Sequence, residues 1–516
     1  MPAVDKTPSS VTRGHCGKRY LAGSLLIPCQ RLAQDPGLAA RPPWRAMMTM
    51  GERGNRRQMA IVSINPATEA ELSRFDEHNW RQVDAALDRA WTARRPWSET
   101  RPGSRASRFA ELAALLRHEK PRLAALLTAE MGKPITEAEA EVEKCAWTAE
   151  WFAEHAEAML TPRRVESSAT ESYVRFQPLG VVLAVMPWNF PLWQVFRAAI
   201  PAVIGGNVMV LKHSSNVPQA ALAAEDAFRR AGFPDGVFQT LLVGAGLVGR
   251  IIRDRRVAAV TLTGSEAAGS RVAEVAGSAL KKSVLELGGS DPFIVLADAD
   301  VAASARVACR ARNQNNGQSC IAAKRFVVVA RVADEFERRF VEAVAALKVG
   351  DPMERDTNVG PLARADLVDE LDCQVRESVA MGASVAVGGG RLDGTGYYFQ
   401  PTVLTDVTPE MPVFKEETFG PVAAVIRVRN DEEAIAVAND TDFGLGSSLW
   451  TADVARGRRL ASRIEAGAVF VNGMVASDAR LPFGGVKRSG YGRELSEYGL
   501  HEFMNVQTVW VGPQRS

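Results

Sequence analysis

Cysteine and histidine are both scarce in this sequence, with 6 residues of each type among 516. The cysteines form no CxxC pair, the histidines form no HExxH motif, and no GxSxG nucleophile elbow occurs. These absences argue against zinc hydrolases and serine hydrolases. Six scattered thiols in so long a chain indicate a reducing compartment rather than a disulfide framework. We therefore expect no bound metal.

Long uncharged stretches are also few. The stretch from residue 176 to residue 196 has no charge, but Pro178, Pro187 and Pro191 interrupt it, whereas a membrane-spanning helix needs about 20 predominantly apolar residues. The sequence thus predicts no membrane partner. Its length and its hydrophobic content of 46% instead predict a protein of several domains with substantial cores.

The net charge of +2 conceals an uneven distribution. Residues 1–58 contain 10 Lys and Arg against 3 Asp and Glu, a net charge of +7, so the remainder carries −5. Such a basic segment fits a transit peptide, a secretory leader or an extension without a structural role. The extension is favoured, because the apolar run 21–27 is short and ends at Pro28. With a start near Met59 we expect a cytoplasmic protein, and we expect no nucleic-acid partner.

The pattern of apolar residues divides the rest of the chain in three. Between residues 79 and 160 apolar residues recur at every third and fourth position, which predicts four helices. From residue 180 to residue 276, runs rich in β-formers alternate with helical runs, as in βαβ units whose ligands bind at the carboxyl ends of parallel strands. A second α/β unit is predicted after Leu287. The predicted fold class is therefore α/β, with a site in the cleft between two units.

Gly244-Ala-Gly246-Leu-Val-Gly249 matches the GxGxxG fingerprint of dinucleotide-binding folds. It lies between a predicted strand, residues 237–243, and a short predicted helix, and Glu266 follows at about the required spacing. These glycines could equally well serve only a tight turn and close helix–strand packing. The motif alone leaves both interpretations open.

Cys320 stands out from the remaining cysteines. It ends the polar, glycine-containing turn Asn315-Asn-Gly-Gln-Ser-Cys320, just before a predicted strand at 325–329. A thiol in such a turn can be accessible and flanked by backbone N–H donors, conditions that lower its pKa and make it a nucleophile. Cys145 and Cys309 fall within helical patterns, where burial as small apolar side chains is expected.

Five motifs in sequence order resemble the NAD(P)-dependent aldehyde dehydrogenase superfamily. The resemblance extends from about Met59 to the C-terminus, and within the superfamily it is strongest to bacterial succinate-semialdehyde dehydrogenases, notably through 211–218 and 314–325. It implies a Rossmann-type parallel-sheet cofactor domain, an α/β catalytic domain and a small β bridging element. The motifs are Pro187-Trp-Asn-Phe-Pro191, Leu285-Glu-Leu-Gly-Gly289, Asn316-Gly-Gln-Ser-Cys320, Glu416-Glu-Thr-Phe-Gly-Pro421 and Leu481-Pro-Phe-Gly-Gly-Val-Lys-Arg-Ser-Gly490.

The resemblance implies three catalytic residues. Cys320 would attack the aldehyde carbon to give a thiohemiacetal, because a thiolate can form near neutral pH. Asn189, in a stiff segment bracketed by prolines, would supply its side-chain amide to an oxyanion hole beside the Cys320 backbone N–H. Glu286, which lies between two leucines, is suited to a raised pKa and would activate the water that hydrolyses the thioester.

The resemblance also implies where the cofactor binds. Lys212 would reach the adenosine ribose, the helix that begins after Gly264-Ser265 would hold the pyrophosphate, and the GxGxxG turn becomes mainly architectural. Many relatives that prefer NAD have an acid at the position of Ser215, so a serine there removes repulsion of a 2′-phosphate and indicates that NADP is accepted and preferred over NAD. The implied cofactor residues are Trp188, Lys212, Ser215, Gly264, Ser265, Leu287, Glu417 and Phe419.

The substrate assignment depends on cations. Arg197 matches an arginine with which relatives bind the far carboxylate of a semialdehyde, and Arg480 and Ser477 are further candidates. Gln314 stands where some succinate-semialdehyde enzymes have a second arginine. Both arginines could instead pair with local acids. We therefore expect oxidation of succinate semialdehyde to succinate, with another semialdehyde or an aliphatic or aromatic aldehyde as the main alternative.

The combination of Cys320, Asn189 and Glu286 disfavours two rival functions. A coenzyme A-acylating enzyme would pass the thioester to the thiol of coenzyme A, whereas Glu286 is suited to activating water. A non-catalytic binding protein on the same scaffold would have no need of all three residues together. The expected activity is therefore that of an enzyme that releases a free carboxylic acid.

Peripheral segments rich in β-formers bear on assembly and on domain organisation. In the family, such strands join subunits, so the segments 173–177 and 506–511 lead us to expect a homodimer or homotetramer. The predicted domains are a basic extension at 1–58, a cofactor domain at 59–164 and 179–287, a catalytic domain at 288–490, and an oligomerisation element at 165–178 and 491–516.

Overall fold

The computed structural model describes residues 60–512, so the predicted extension 1–58 lies outside the described residues. The helices are α1 (Trp80–Glu99), α2 (Pro102–His118), α3 (Lys120–Met131), α4 (Ile135–Leu160), α5 (Trp193–Ile204), α6 (Pro218–Arg230), α7 (Val248–Arg253), α8 (Glu266–Ser278), α9 (Val301–Asn313), α10 (Ala330–Ala345), α11 (Ala365–Ala380), α12 (Pro412–Lys415), α13 (Asp431–Asn439), α14 (Val454–Ala461) and α15 (Ser496–Glu502). The strands are β1 (Ala60–Ile64), β2 (Glu71–Asp76), β3 (Arg163–Arg164), β4 (Glu171–Pro178), β5 (Val181–Met186), β6 (Val208–His213), β7 (Phe238–Thr240), β8 (Val257–Thr263), β9 (Lys282–Glu286), β10 (Asp291–Val295), β11 (Ala323–Val329), β12 (Ser384–Val387), β13 (Thr402–Thr405), β14 (Val422–Val428), β15 (Gly446–Trp450), β16 (Ala468–Val471), β17 (Gly490–Tyr491) and β18 (Met504–Val511).

The first large sheet has six strands in the order β17-β9-β8-β5-β6-β7. All neighbours are parallel except β17, which runs antiparallel to β9. Its central strand β5 reads Val-Val-Leu-Ala-Val-Met and is almost entirely buried, as expected for a parallel strand that is covered on both faces. Strands β6 and β7 lie on one side of β5, and β8, β9 and β17 lie on the other. The strand order therefore reverses between β5 and β8. Open α/β sheets bind ligands at such a switch point.

The helical block α1–α4 precedes this sheet, as the sequence predicts. A capping box between Asn79 and Gln82 starts α1, because each side chain bonds the backbone N–H of the other residue. Gly132 ends α3 with a φ of 84°, a left-handed conformation that glycine adopts at little cost. The long helix α4 buries one face, including Val142, Cys145 and Phe152. That helix positions two charged side chains of the site described below.

The second large sheet has seven strands in the order β12-β13-β14-β11-β10-β15-β16, parallel except for the β12–β13 pair. It confirms the second predicted α/β unit. The predicted strand 325–329 is the end of β11. The segments that precede β11 and β14 contain the Cys320 loop and Glu417.

Two smaller sheets complete the fold. The hairpin of β1 and β2 was not predicted. Strands β3, β4 and β18 form a separate antiparallel sheet, in which Met504 pairs with Pro178 and Val511 with Glu171. Strands β4 and β18 lie within the predicted oligomerisation element, β3 lies just before it, and the role of the element stays a prediction. Within residues 60–512, no helix is long and apolar enough to cross a membrane.

One predicted strand is shorter than expected. The apolar run 237–243 forms a strand only over Phe238–Thr240. The Val243 N–H donates to the carbonyl of Leu241, two residues earlier, at 3.0 Å, so the chain turns out of the sheet directly after β7. Apolar composition therefore extends past the last residue that can pair with β6.

Candidate active site

The loop that carries Cys320 has an unusual backbone. Asn315, Asn316 and Gly317 have φ values of 58°, 57° and 72°, all in the left-handed region, which costs a non-glycine residue about 1–2 kcal/mol. The Asn315 side-chain amide offsets this cost by donating to the Asn189 carbonyl at 2.8 Å. A Cβ atom on Gly317 would lie 2.3 Å from the carbonyl carbon of Gly420. Only glycine therefore fits at this point of the loop.

Two charged side chains fix the loop from opposite sides. Glu137 of α4 accepts the Asn315 backbone N–H at 2.6 Å, and burial raises the pKa of this carboxyl to about 7. Lys324, at the start of β11, donates to the carbonyls of Cys320 at 2.7 Å and Ser319 at 3.0 Å. The backbone around the thiol is thus held by helix α4 and by the second sheet.

The Cys320 thiol lies in an environment that favours its neutral form. Burial raises its pKa to about 12, although the positive charges of Arg197 and Lys324 oppose this effect. The prediction that this turn lowers the thiol pKa is therefore wrong for the protein without substrate. The physical reason is desolvation, since the surrounding residues cover much of Cys320, which is only partly exposed.

Asn189 lies where an oxyanion donor is required. It follows β5 at the carboxyl edge of the first sheet, is buried, and donates its side-chain N–H to the Gln318 carbonyl at 3.1 Å. Its Oδ1 atom has no hydrogen-bond partner among the described residues. The structure therefore brings the predicted donor to the loop of the predicted nucleophile, two residues before Cys320.

Glu286 ends β9 with a buried carboxyl group. Neither carboxyl oxygen has a hydrogen-bond partner in the part of the chain that the structure describes. Burial raises the pKa of Glu286 well above its ordinary value, and the negative charge of Glu494 adds to the effect. Gly484 makes room for the carboxyl, since a Cβ there would lie 2.7 Å from Oε1. The raised pKa expected from the flanking leucines is confirmed.

Gly289 shows how closely the segment after Glu286 approaches the Cys320 loop. A Cβ atom on this residue, three positions after Glu286, would lie 2.7 Å from the Cys320 carbonyl oxygen. The backbone after the predicted base thus packs directly on the backbone of the predicted nucleophile. The site lies between the carboxyl edge of the first sheet and the loops that precede strands of the second.

Arg197 of α5 is buried in an ion pair with Glu494. It also donates to the Thr263 hydroxyl at 3.2 Å and lies 4.5 Å from the ring centre of Phe483. Its positive charge counteracts the effect of burial on the pKa values of both Cys320 and Glu286. A substrate carboxylate would have to share Arg197 with Glu494, and the predicted substrate role of Arg197 stays a prediction.

The two further predicted substrate residues differ in environment. Arg480 is exposed and forms an ion pair with Asp478 at 2.6 Å. Ser477 is buried, and its hydroxyl accepts a hydrogen bond from Lys144 at 2.7 Å. Both predicted arginines thus pair with local acids, and the serine is accompanied by a cation that the sequence did not single out.

The predicted cofactor residues gather at the carboxyl edge of the first sheet. Lys212 lies at the end of β6; it is buried, and no carboxylate among the described residues lies within 4.0 Å of its ammonium group. Ser215 follows on the surface. Gly264 and Ser265 connect β8 to α8, where the Ser265 hydroxyl caps the helix through the Ala268 N–H at 3.4 Å. A buried cation, a surface hydroxyl and a helix N-terminus form a donor set that suits a phosphorylated dinucleotide.

The remaining cofactor residues link this edge to the second sheet. Glu417 accepts the Gly289 N–H at 3.0 Å. Phe419 meets the Trp188 ring edge-on, with ring centres 5.6 Å apart. Leu287 is buried against α8, where a Cβ on Gly269 would lie 2.5 Å from it. These residues can form the nicotinamide end of a cofactor site, and these assignments stay predictions.

The GxGxxG turn lies elsewhere. Gly244 starts a short 3₁₀ turn that leads into α7, a helix of 6 residues after the edge strand β7. A Cβ on Gly246 would have no atom of the described residues within 4 Å, so none of them sterically requires glycine there. The motif is separated from the switch point by β6, and its architectural interpretation stays a prediction. Among residues 60–512, no cluster of three or more His, Cys, Asp or Glu could hold a metal.

Four charged residues of the site were not predicted from the sequence. In the sequence each of them has other charged residues close by, so no local pattern distinguishes them, and only the fold shows that they lie at the site. They are Glu137, Lys144, Lys324 and Glu494.

Comparisons with known proteins agree with this geometry. The model of the aldehyde dehydrogenase family matches residues 53–509. The chain is 51% identical over 453 residues to a probable succinate-semialdehyde dehydrogenase [NADP(+)] from Synechocystis, covering 88% of this chain and 100% of that protein. It is 52% identical over 456 residues to succinate-semialdehyde dehydrogenase [NADP(+)] 1 of Mycobacterium tuberculosis H37Rv, with 88% and 100% covered.

Solved structures agree as well. Succinic semialdehyde dehydrogenase from Streptococcus pyogenes, determined with NADP+ as the cofactor, superimposes with a TM-score of 0.86 at 37% identity. The superposition covers 88% of this chain and 100% of that one. The predicted α/β fold of aldehyde dehydrogenase type is thereby confirmed. With its nucleophile loop, buried glutamate and asparagine amide at the junction of two sheets, this chain belongs to the aldehyde dehydrogenase family.

Proposed function

We propose that this enzyme oxidises succinate semialdehyde to succinate with NADP. The observation that carries the proposal is the convergence of Cys320, Asn189 and Glu286 near Arg197, whose positive charge acts on both the thiol and the carboxyl. The relatives described above are named succinate-semialdehyde dehydrogenases [NADP(+)], and their similarity to this chain extends over nearly all of its described residues. The same activity is the one expected from the sequence motifs.

The first half of the reaction uses the nucleophile loop. The Cys320 sulfur forms a bond to the aldehyde carbon, and the carbonyl π electrons move to oxygen, where the Asn189 amide and the Cys320 N–H donate hydrogen bonds. Because burial favours the neutral thiol, its proton must pass to a water molecule as the bond forms, and the positive charge of Arg197 stabilises the anion that results. A bound NADP+ would supply the hydride acceptor, and loss of hydride from the aldehyde carbon would leave a thioester on Cys320.

The second half uses Glu286. Its carboxylate takes a proton from a water molecule, the water oxygen attacks the thioester carbon, and Cys320 leaves as a thiolate. The carboxyl has no hydrogen-bond partner among the described residues, so its oxygens are available for that water. Its raised pKa makes it a stronger base than an exposed glutamate once it has lost its own proton.

The NADP preference is supported by Lys212 and Ser215. Burial lowers the pKa of the Lys212 ammonium, although the negative charge of Glu77 opposes this effect, and a 2′-phosphate would add a direct charge-assisted partner for it. Ser215 offers a hydroxyl and no repulsion. We also propose a cytoplasmic homodimer or homotetramer, joined through the three-stranded sheet of β3, β4 and β18.

A panel of aldehydes with NADP+ and NAD+ tests this function. Succinic semialdehyde should be oxidised with a higher kcat/KM than acetaldehyde, benzaldehyde or betaine aldehyde, without coenzyme A, and Cys320→Ala should abolish the formation of NADPH. Equal efficiency with all four aldehydes would overturn the substrate assignment. An NAD advantage above about tenfold, which corresponds to ~1.4 kcal/mol, would overturn the cofactor assignment.

A further inference from the structure

Lys144 is a cation whose recorded hydrogen-bond partner is a neutral hydroxyl. It lies on α4, and its ammonium donates to the Ser477 hydroxyl at 2.7 Å and lies 4.4 Å from the ring centre of Trp193. Within residues 60–512 it forms no ion pair with any carboxylate. By contrast, the neighbouring Lys133 is paired with Glu141. A half-buried ammonium whose polar partner is a single neutral hydroxyl keeps donors for an anion.

The charged groups around Lys144 increase its need for an anion. Burial lowers its pKa to about 8, and the positive charge of Arg197 contributes to the decrease. Glu141 and Asp478 act in the opposite direction, as does Cys145. Glu141 already binds Lys133, and Asp478 already binds Arg480. An additional negative charge at Ser477 would therefore stabilise the Lys144 ammonium, which has no direct ion pair among residues 60–512.

The position of Lys144 relates this imbalance to the catalytic site. Trp193, over which the ammonium lies, begins α5, and Arg197 follows one helical turn later on the same face. The loop before Leu481 brings Ser477 to the same place. Arg197 is already paired with Glu494 and donates to Thr263, whereas the recorded polar contact of the Lys144 ammonium is with the neutral Ser477 hydroxyl, which leaves donors of Lys144 for a new ligand.

We infer that Lys144, together with Ser477, binds the carboxylate of the aldehyde substrate and thereby determines the preference for acidic aldehydes. This inference rests on the proposed function. The ammonium would donate to one carboxylate oxygen and the serine hydroxyl to the carboxylate as well, so that the far end of the chain is fixed while its aldehyde reaches Cys320. An uncharged aldehyde of the same length gains nothing from this pair.

The test compares succinic semialdehyde with butanal, which has the same number of carbons and no carboxylate. Lys144→Met keeps roughly the length of the side chain and removes its charge. It should raise KM for succinic semialdehyde about 10- to 100-fold, as expected for a lost charge-assisted contact, with kcat and both constants for butanal within about twofold. Lys144→Arg should retain most of the preference. Lys120→Met, which removes a partly exposed lysine of α3, should leave kcat and KM for both substrates unchanged.

The outcomes separate the inference from the proposed function. If the unmodified enzyme does not prefer succinic semialdehyde over butanal, the proposed function fails. If it does and Lys144→Met keeps that preference, only the assignment of Lys144 fails. Should the variant not fold, the unmodified enzyme still provides a test: the ratio of KM for succinic semialdehyde to KM for butanal should rise with pH above about 8, where Lys144 loses its proton. A ratio independent of pH between about 7 and 9.5 would contradict the inference.

Discussion

At the scale of single residues, the site contains two groups whose neutral forms are favoured by burial. Cys320 and Glu286 both have raised pKa values, and Arg197 partly opposes the shift at each of them. Burial therefore shifts Cys320 toward the thiol and Glu286 toward the carboxylic acid. Reactivity must then arise when substrate and cofactor change the electrostatic environment, which is a common use of desolvated groups.

The alkylation rate of Cys320 in the free enzyme measures this state. Because only the thiolate reacts, and the pKa of the thiol is about 12, the rate with iodoacetamide should rise about tenfold per pH unit from about pH 7 to 9.5 without levelling off. Mass spectrometry of the Cys320 peptide follows the reaction. A plateau below about pH 8.5 would show that the thiol is already activated in the free enzyme.

Glu286→Gln tests the base. A glutamine cannot accept the proton of the water, so the first turnover should still produce one NADPH per subunit, followed by a steady state about 10²–10⁴-fold slower. In the unmodified enzyme hydrolysis of the thioester should accelerate with rising pH, because the raised pKa of Glu286 leaves less carboxylate at neutral pH. Stopped-flow absorbance at the NADPH band follows both phases. Loss of the first turnover would assign Glu286 to the step before the thioester.

The role of a residue could be predicted where a local sequence motif contains it. It could not be predicted where it depends on an ion pair between residues far apart in the sequence. The Cys320, Asn189 and Glu286 motifs could be identified from local sequence. That Arg197 pairs with Glu494 could not, because the two residues are brought together only by packing of α5 against the segment after β17. The pKa of Cys320 was misjudged for the same reason, since burial depends on the whole fold.

At the scale of elements, the nucleophile loop depends on a backbone that few sequences tolerate. Its three left-handed residues, Asn315, Asn316 and Gly317, place the thiol between the two sheets. The GxGxxG turn, by contrast, has glycines that the chain does not need sterically at Gly246. Helices and central strands were predicted within a few residues because their apolar periodicity is strong. The β1–β2 hairpin and the two-residue strand β17 were missed because such short elements leave little pattern.

Two glycine substitutions compare these elements. Gly317→Ala should lower the free energy of unfolding by about 1–3 kcal/mol, since the new Cβ would overlap the Gly420 backbone, and should lower kcat about 100-fold by displacing the thiol. Gly246→Ala is the matched control and should leave stability, kcat and KM for NADP nearly unchanged. A large rise in KM for NADP in Gly246→Ala would instead make that turn part of the cofactor site. Chemical denaturation and steady-state kinetics measure both variants.

At the scale of the whole molecule, one surface stands out. Strand β18 at the edge of the three-stranded sheet exposes Val506 and Trp510 to 59% and 54%. Alternate residues of a strand share a face, so these two side chains form one apolar surface with Thr508. An exposed edge strand of this kind is a template for pairing with another chain. It supports the proposed subunit contact.

Val506→Asp should therefore dissociate the oligomer. The carboxylate would have to be buried against a neighbouring subunit, so the mass measured by light scattering should fall to that of a smaller species. Val454→Asp is a matched control, because Val454 is an exposed valine of α14 in the second α/β unit. An unchanged mass in Val506→Asp would exclude β18 from the contact.

One backbone hydrogen bond connects the two halves of the reaction. The Gly264 N–H, at the entrance to α8, donates to the Glu286 carbonyl at 3.0 Å. A dinucleotide held at α8 would restrain Gly264, and through this bond it would also restrain the strand end that carries the base. The amide proton of Gly264 should then exchange with deuterated solvent more slowly in the presence of NADP, together with the amides that follow Glu286. Cofactor binding would in that way restrict the motion of the Glu286 backbone, and with it the position of the carboxylate that later activates water.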